Sequence, residues 1–141
     1  MAGTIMCGVN ESAEARHAAR VAAALSKQLE LRLVLAHVAA APADAKDMNQ
    51  MLDRLADEQG LEGVERRIEV GETAERLAQV AAEERAALIL LGARPRAHRW
   101  RRSFRSALRD DLARLTLCPV FVVRAATKDI ARPEPLVLSE P

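Results

Sequence analysis

The chain has 141 residues, half of them hydrophobic and 29% charged, a length and balance that suit one globular domain and exclude a disordered chain. Lysine and arginine number 21 against 20 acidic residues, so the net charge of +1 gives no bulk electrostatic reason to bind nucleic acid or a membrane. Aromatic residues make up only 2% of the chain, which leaves little surface on which nucleic-acid bases could stack. We therefore expect no membrane partner, and a nucleic-acid partner is disfavoured.

Neither a membrane span nor a secretion signal is visible in the sequence. No apolar run reaches the length of about 18 residues that a membrane span needs, and the first ten residues lack the segments of a signal peptide. The two cysteines, Cys7 and Cys118, are far apart in the sequence and lack a metal-binding or redox spacing. We predict a cytoplasmic protein whose cysteines are small core residues.

Apolar runs alternate with amphipathic stretches from the start of the chain, which predicts strands alternating with helices. The apolar run 4–9 predicts the first strand, and apolar residues at helical spacing predict a helix over 12–29 with Ser12 as its N-cap. The run 31–38 predicts the second strand, and the small residues 39–43 are expected to form a loop.

The middle of the chain continues this alternation. Methionine and leucine residues at helical spacing predict a second helix that ends near Gly60. Polar residues alternate with apolar ones over 64–70, which predicts a third strand at an edge of the sheet. A third helix is expected over about 74–85, and the fully apolar run 87–91 predicts a buried central strand.

The last third contains an irregular segment, a helix, a strand and a tail. The irregular segment is expected from Gly92 to about Arg102, followed by a fourth helix and by a fifth strand over 119–123. Residues 125–141 contain three prolines and are predicted to form a tail. Two interpretations of this tail stand: a disordered end, or an arm that packs on a partner subunit.

This alternation predicts an α/β fold, in which right-handed crossovers build a parallel sheet with helices on both faces. Ligands of open parallel sheets bind beyond the carboxyl ends of the strands, where the strand order reverses. The loops that reach this place follow strands 1, 2 and 4, at residues 9–12, 38–40 and 92–106. We therefore expect the functional site among these three loops.

The third of these loops is strongly basic. It contains His98, Trp100 and no acidic residue. Its arginines are Arg94, Arg96, Arg99, Arg101, Arg102 and Arg105. Because arginine binds phosphate with two parallel hydrogen bonds, one interpretation is that residues 94–105 bind an anionic ligand or an acidic partner. The other is a solvated basic loop that Asp110 and Asp111 partly neutralise.

Four runs of sequence together resemble the universal stress protein family over about residues 3–124. They are LVLAHV at 33–38, GETAERLAQVAA at 71–82, LILLG at 88–92 and CPVFVVR at 118–124. The resemblance implies a domain over 1–124 with a Rossmann-like, three-layer α/β sandwich and a five-stranded parallel sheet of order 3-2-1-4-5. It also implies a homodimer through the fifth strand, with residues 125–141 outside the domain.

Many family members bind ATP through the motif Gly-x2-Gly-x9-Gly-Ser/Thr after the fourth strand. Gly92 and Ser106 match its first and last positions, but Pro95 and Arg105 stand where the other two glycines belong. Proline has no N–H group to offer a phosphate, and arginine adds a bulky side chain. These departures from the family motif predict that the regular ATP site is lost, and we therefore expect no cofactor. The alternative is a remodelled site in which Arg94, Arg105 and Ser106 hold the phosphates of ATP.

The resemblance also marks three residues on the nucleoside side of such a site. Asn10 stands where the family has an acidic residue that helps hold the nucleotide, and its amide can still bond a ribose hydroxyl. Val38 and Ala39 stand where backbone groups contact adenine in ATP-binding members. His37, at the end of the second strand, is expected to be structural.

We find no nucleotide-hydrolysing loop motif, paired carboxylates or zinc-ligand spacing in the sequence, so we do not expect an enzyme. The leading hypothesis is a universal stress protein with a regulatory or protective binding role and without regular ATP binding. The alternatives are an adenine-nucleotide-binding stress protein with an arginine-rich phosphate site, and an interaction module whose basic loop docks an anionic partner.

Overall fold

The computed structural model describes residues 3–10, 13–92 and 102–124, and within them strands and helices alternate as the periodicity predicts. The strands are β1 (Thr4–Gly8), β2 (Arg32–Ala39), β3 (Glu65–Val70), β4 (Ala86–Gly92) and β5 (Val120–Val123). The helices are α1 (Ala13–Leu29), α2 (Pro42–Glu58), α3 (Thr73–Glu83) and α4 (Arg102–Leu115). The candidate cap Ser12, most of the basic loop and the tail 125–141 lie outside the described residues.

The five strands form one sheet in the order β3-β2-β1-β4-β5, and every neighbouring pair is parallel. β1 lies at the centre, where Cys7 is in register with Leu35 of β2 and Leu90 of β4. This order and pairing confirm the fold class, and β3 is an edge strand as its polar pattern predicts.

Side chains of β1 alternate between two cores, because successive residues of a strand point to opposite faces. Ile5 and Cys7 pack with the alanines of α1 and with Leu52 of α2 on one face. Met6 packs with Leu77 of α3 and Leu112 of α4 on the other face. Helices therefore cover both faces of the sheet, as a three-layer sandwich requires.

The connection after β2 is shorter than the sequence pattern predicts. β2 continues through Ala39, and α2 begins at Pro42 with Ala41 as its extended N-cap. Proline suits this position because the first turn of a helix leaves its N–H groups without intrahelical partners. The expected loop over 39–43 is therefore wrong, and the turn between β2 and α2 is tight.

A network of ion pairs joins β2, β3 and the end of α3. Arg67 of β3 donates to Glu84 at 2.8 Å, to Glu83 at 2.7 Å and to Glu69 at 2.8 Å. Arg32 of β2 also donates to Glu84, at 2.6 Å. The Glu84 side chain is 10% exposed. Although burial alone raises the pKa of Glu84, hydrogen bonds from Arg67 and Arg32 outweigh that effect and hold the pKa below its usual value.

These hydrogen bonds make the stability of the fold depend on pH. Because the pKa of Glu84 is lower in the folded chain, its stabilisation is complete above the ordinary value of 4.5 and is lost as the pH falls through the folded value. We expect Glu84→Gln to lower the free energy of unfolding at neutral pH by about 1–2 kcal/mol. The variant should also lose less stability than the parent protein when the pH falls from about 5 to 3.

Urea denaturation at several pH values measures both effects. Glu58→Gln is the matched control, because Glu58 forms an exposed ion pair with Arg16. Exposed ion pairs contribute little to the free energy of unfolding. Identical pH slopes for Glu84→Gln and the parent protein would contradict a stabilising role for the network.

Candidate functional site

A cleft of about 280 Å³ opens at the carboxyl ends of β1, β2 and β4. β1 has β2 on one side and β4 on the other, so the strand order reverses here and leaves a crevice. The described residues that line the cleft are Gly8, Val9, Asn10, Ala15, Ala36, His37, Val38, Glu72, Thr73, Leu77, Leu91, Gly92, Leu108 and Asp111. The place is the one that the predicted topology indicates.

The floor of the cleft is apolar because β1 ends in a glycine. A Cβ atom at Gly8 would lie 2.8 Å from Cδ2 of Leu91 and 3.7 Å from Cδ1 of Leu77. The two leucine side chains therefore approach the backbone of β1 from β4 and from α3. Such a floor suits a flat, uncharged ring, because apolar surface gains free energy when it leaves water.

Gly92, the first position of the glycine motif, lies directly under the start of α1. A Cβ atom here would be 2.6 Å from the backbone carbon and oxygen of Glu14 and 2.8 Å from the nitrogen of Ala15. These are backbone atoms of a helix, which cannot move aside singly. Packing of α1 against β4 therefore requires glycine at position 92, whether or not a phosphate binds.

His37 joins the end of β2 to the loop after β1. Its Nδ1 lies 2.7 Å from the carbonyl oxygen of Val9, and a carbonyl oxygen only accepts, so this contact requires a hydrogen on Nδ1. The backbone nitrogen of Val9 in turn donates to the oxygen of Ala36 at 2.7 Å. The two bonds hold the loop that carries Asn10 at the edge of the cleft.

The structure brings Asn10, Val38 and Gly92 together in the cleft. Ala39 is 2% exposed and is not among the described lining residues. Its carbonyl oxygen accepts a hydrogen bond of 3.0 Å from the nitrogen of Gly71. The Ala39 oxygen is thus engaged with the residue that follows β3, whereas Val38 faces the cleft.

The candidate phosphate residues are less fully described. Arg94 and Pro95 lie outside the described residues. Arg105 and Ser106 belong to α4, but their side chains are also outside the described set. Their contacts with a phosphate stay a prediction from the sequence.

Among the polar lining residues, Glu72, Thr73 and Asp111 were not singled out as binding residues from the sequence. Glu72 is the N-cap of α3, and its Oε1 accepts a hydrogen bond of 2.8 Å from the nitrogen of Glu75. Asp111 of α4 pairs with Arg114. Gly71 alone separates Glu72 from the carboxyl end of β3, so the position just after a strand is a signal that could have identified Glu72.

The described part of the chain holds no cluster of three or more histidine, cysteine or acidic residues that could bind a metal ion. Burial raises the pKa of Cys7 to about 12, so its thiol stays protonated and unreactive at neutral pH. Partial burial also raises the pKa of Cys118. No helix among the described residues is long and apolar enough to cross a membrane.

Comparison with known proteins identifies relatives of the chain. The family model described as "Universal stress protein family" matches residues 1–124, and no curated protein matches. A universal stress protein solved in complex with cAMP is 21% identical, with 86% of this chain and 95% of that chain covered and a TM-score of 0.69.

Two further solved structures extend the comparison. A universal stress protein family member from Burkholderia pseudomallei is 24% identical, with coverage of 87% and 96% and a TM-score of 0.66. A family protein from Arabidopsis thaliana with AMP bound is 18% identical, with coverage of 93% and 97% and a TM-score of 0.58. At these identities the likeness establishes a shared fold.

The packing at position 92 predicts a stability loss that is independent of any ligand. We expect Gly92→Ala to lower the free energy of unfolding by about 1–3 kcal/mol, because the new methyl group would displace the α1 backbone. Gly8→Ala should cost less, since its methyl group would meet the end of the Leu91 side chain, which can rotate away. Chemical denaturation without ligand measures both values, and a neutral Gly92→Ala would refute the packing role.

Proposed function

Because the chain belongs to the universal stress protein family, we propose that it acts in the cytoplasm during stress as a binding protein. We propose that its cleft binds an adenine nucleotide, although the chain lacks the family's regular triphosphate motif. The observation that carries the proposal is the cleft itself, at the carboxyl ends of β1, β2 and β4. Two proteins of similar fold were solved with cAMP and with AMP, and these are ligands of the proposed class. The role is regulatory or protective and does not involve catalysis.

The walls of the cleft suit the nucleoside part of such a ligand. Leu77 and Leu91 offer apolar surface to the base. Val38 lies at the end of β2, beside this floor. Asn10 follows the carboxyl end of the neighbouring strand β1. Its amide has both donors and an acceptor, which suit a ribose hydroxyl.

The phosphate side rests on the sequence. Pro95 and Arg105 remove two of the glycines that would let backbone N–H groups approach a triphosphate. Arg94 and Arg105 instead bring positive charge, and Ser106 keeps the hydroxyl of the motif. We propose that these three residues bind the phosphate through their side chains.

Blocking the cleft tests this proposal. Thr73 is exposed at the start of α3 and lines the cleft, so Thr73→Phe should narrow it without disturbing the core. We expect the affinity for AMP, measured by isothermal titration calorimetry, to fall at least about tenfold. Glu75→Phe is the control, because Glu75 is exposed on the same helix and is not among the described lining residues.

Failure of the parent protein to bind adenosine, AMP and ATP would overturn the nucleotide proposal. Equal affinities of the two phenylalanine variants would show that AMP binds elsewhere. A response to heparin alone that high salt abolishes would instead favour the basic loop as a docking site for an anionic partner.

We further propose that the protein is a homodimer that pairs through β5. β5 is an edge strand, and an edge strand presents unpaired backbone groups that favour association with another chain. Phe121 on this strand is 54% exposed and Leu117, just before it, is fully exposed. Large apolar side chains at an open sheet edge are typical of an interface.

The dimer proposal predicts a selective effect of charge on β5. Phe121→Lys should convert the dimer to a monomer in sedimentation-velocity experiments at micromolar concentration, because dimerisation would bury the new charge. Leu29→Lys is the matched control, since Leu29 is also 54% exposed but ends α1. A monomeric parent protein, or a Phe121→Lys variant that stays dimeric, would contradict the proposal.

A further inference from the structure

The charged residues on the described walls of the cleft are both acids. Of the fourteen described lining residues, Glu72 and Asp111 carry a charge, and they come from α3 and α4. The remaining described wall is apolar or uncharged. Glu72 is exposed and the Asp111 side chain is 44% exposed, so water screens each charge in part. A ligand in the cleft is therefore exposed to negative charge from the side of these two helices.

Glu72 lies at the N-terminus of α3, a position that would otherwise favour phosphate binding. The N-terminus of a helix attracts anions through its unpaired N–H groups and its dipole. At α3, however, the carboxylate of Glu72 already accepts the hydrogen bond from the nitrogen of Glu75 at 2.8 Å. A ligand phosphate at this end of α3 would meet a carboxylate in place of a free donor.

Asp111 adds a second carboxylate from α4. Its partner, Arg114, is 72% exposed and is not among the described lining residues. An exposed ion pair of this kind is strongly screened by water. The ion pair with Arg114 therefore offsets the Asp111 charge only in part.

We propose that Glu72 and Asp111 tune the charge selectivity of the cleft, so that they weaken the binding of a triphosphate more than that of an adenine nucleoside or nucleoside monophosphate. This inference rests on the proposed nucleotide function. Repulsion grows with the number of ligand charges, so ATP is disfavoured more than AMP, and adenosine is unaffected. The attraction of the arginines grows with ligand charge in the same way, so the two carboxylates offset part of the affinity that the arginines would add for the longer phosphate chain.

A double variant tests the selectivity. Glu72→Gln keeps an oxygen that can accept from the nitrogen of Glu75, and Asp111→Asn keeps the size of the side chain, so both changes remove charge with little change in shape. We expect the affinity of the double variant for ATP, measured by calorimetry at low salt without divalent cations, to rise about tenfold. Its affinity for adenosine should stay within about twofold, with AMP intermediate.

The matched control is Glu75→Gln combined with Asp110→Asn. It removes the same charge from the same two helices, at positions outside the described lining of the cleft. If ATP affinity rises equally in this control, the gain comes from the change in the net charge of the protein, and the inference is refuted. Thermal unfolding of both double variants verifies that each is folded.

The outcomes separate the inference from the function on which it rests. Suppose that the parent protein and the double variant at Glu72 and Asp111 both bind adenosine or AMP with the same ratio of ATP affinity to adenosine affinity. That result refutes the selectivity and leaves the nucleotide function intact. A parent protein that binds none of the three ligands refutes both the nucleotide function and the selectivity. A selective gain for ATP supports both.

Discussion

The contact between the backbone of α1 and the end of β4 is the constraint on which the rest of the site depends. Gly92 allows the first turn of α1 to lie on β4. The buried alanines of α1 pack the rest of the helix against the same face of the sheet. Because side chains this small let a helix approach a sheet closely, the position of α1 is fixed within narrow limits. The start of this helix forms one wall of the cleft.

Against this fixed wall, the other parts of the cleft have different chemical characters. The hydrogen bond from His37 to Val9 ties two strand ends together, and the leucines beneath Gly8 supply an apolar floor. α3 and α4 contribute the carboxylates. A ligand therefore meets a rigid apolar surface on one side and negative charge on another. This asymmetry would orient the ligand as well as hold it.

Much of the fold could be predicted from the sequence because each strand has its own local signal. The apolar run at 87–91 marks a central strand, and the polar alternation at 64–70 marks an edge. Pro42 was misinterpreted as part of a loop, since a proline near a turn has the same local pattern as a proline that begins a helix.

The site could be predicted only in part. Asn10 follows β1 and Val38 lies at the carboxyl end of β2, so topology brings them together. Packing of α4 brings Asp111 beside them, which no spacing in the sequence reveals, whereas Glu72 lies just after β3 and could have been identified from the topology. The family motif drew attention to Gly92 as a phosphate residue, whereas its nearest neighbours are backbone atoms of α1.

The ion pairs of β3 have a consequence for how copies of the chain can assemble. This edge of the sheet carries Arg66, paired with Asp53 at 2.9 Å, and Arg67 with its three carboxylates. Bringing another strand against it would strip water from these charges, so the edge resists addition of a further strand. If both edges of a sheet could pair with another copy, copies could add one after another and form an open-ended fibre. Because β5 is the edge through which we propose that two copies pair, the charged β3 edge would leave such a dimer without a second site for strand addition.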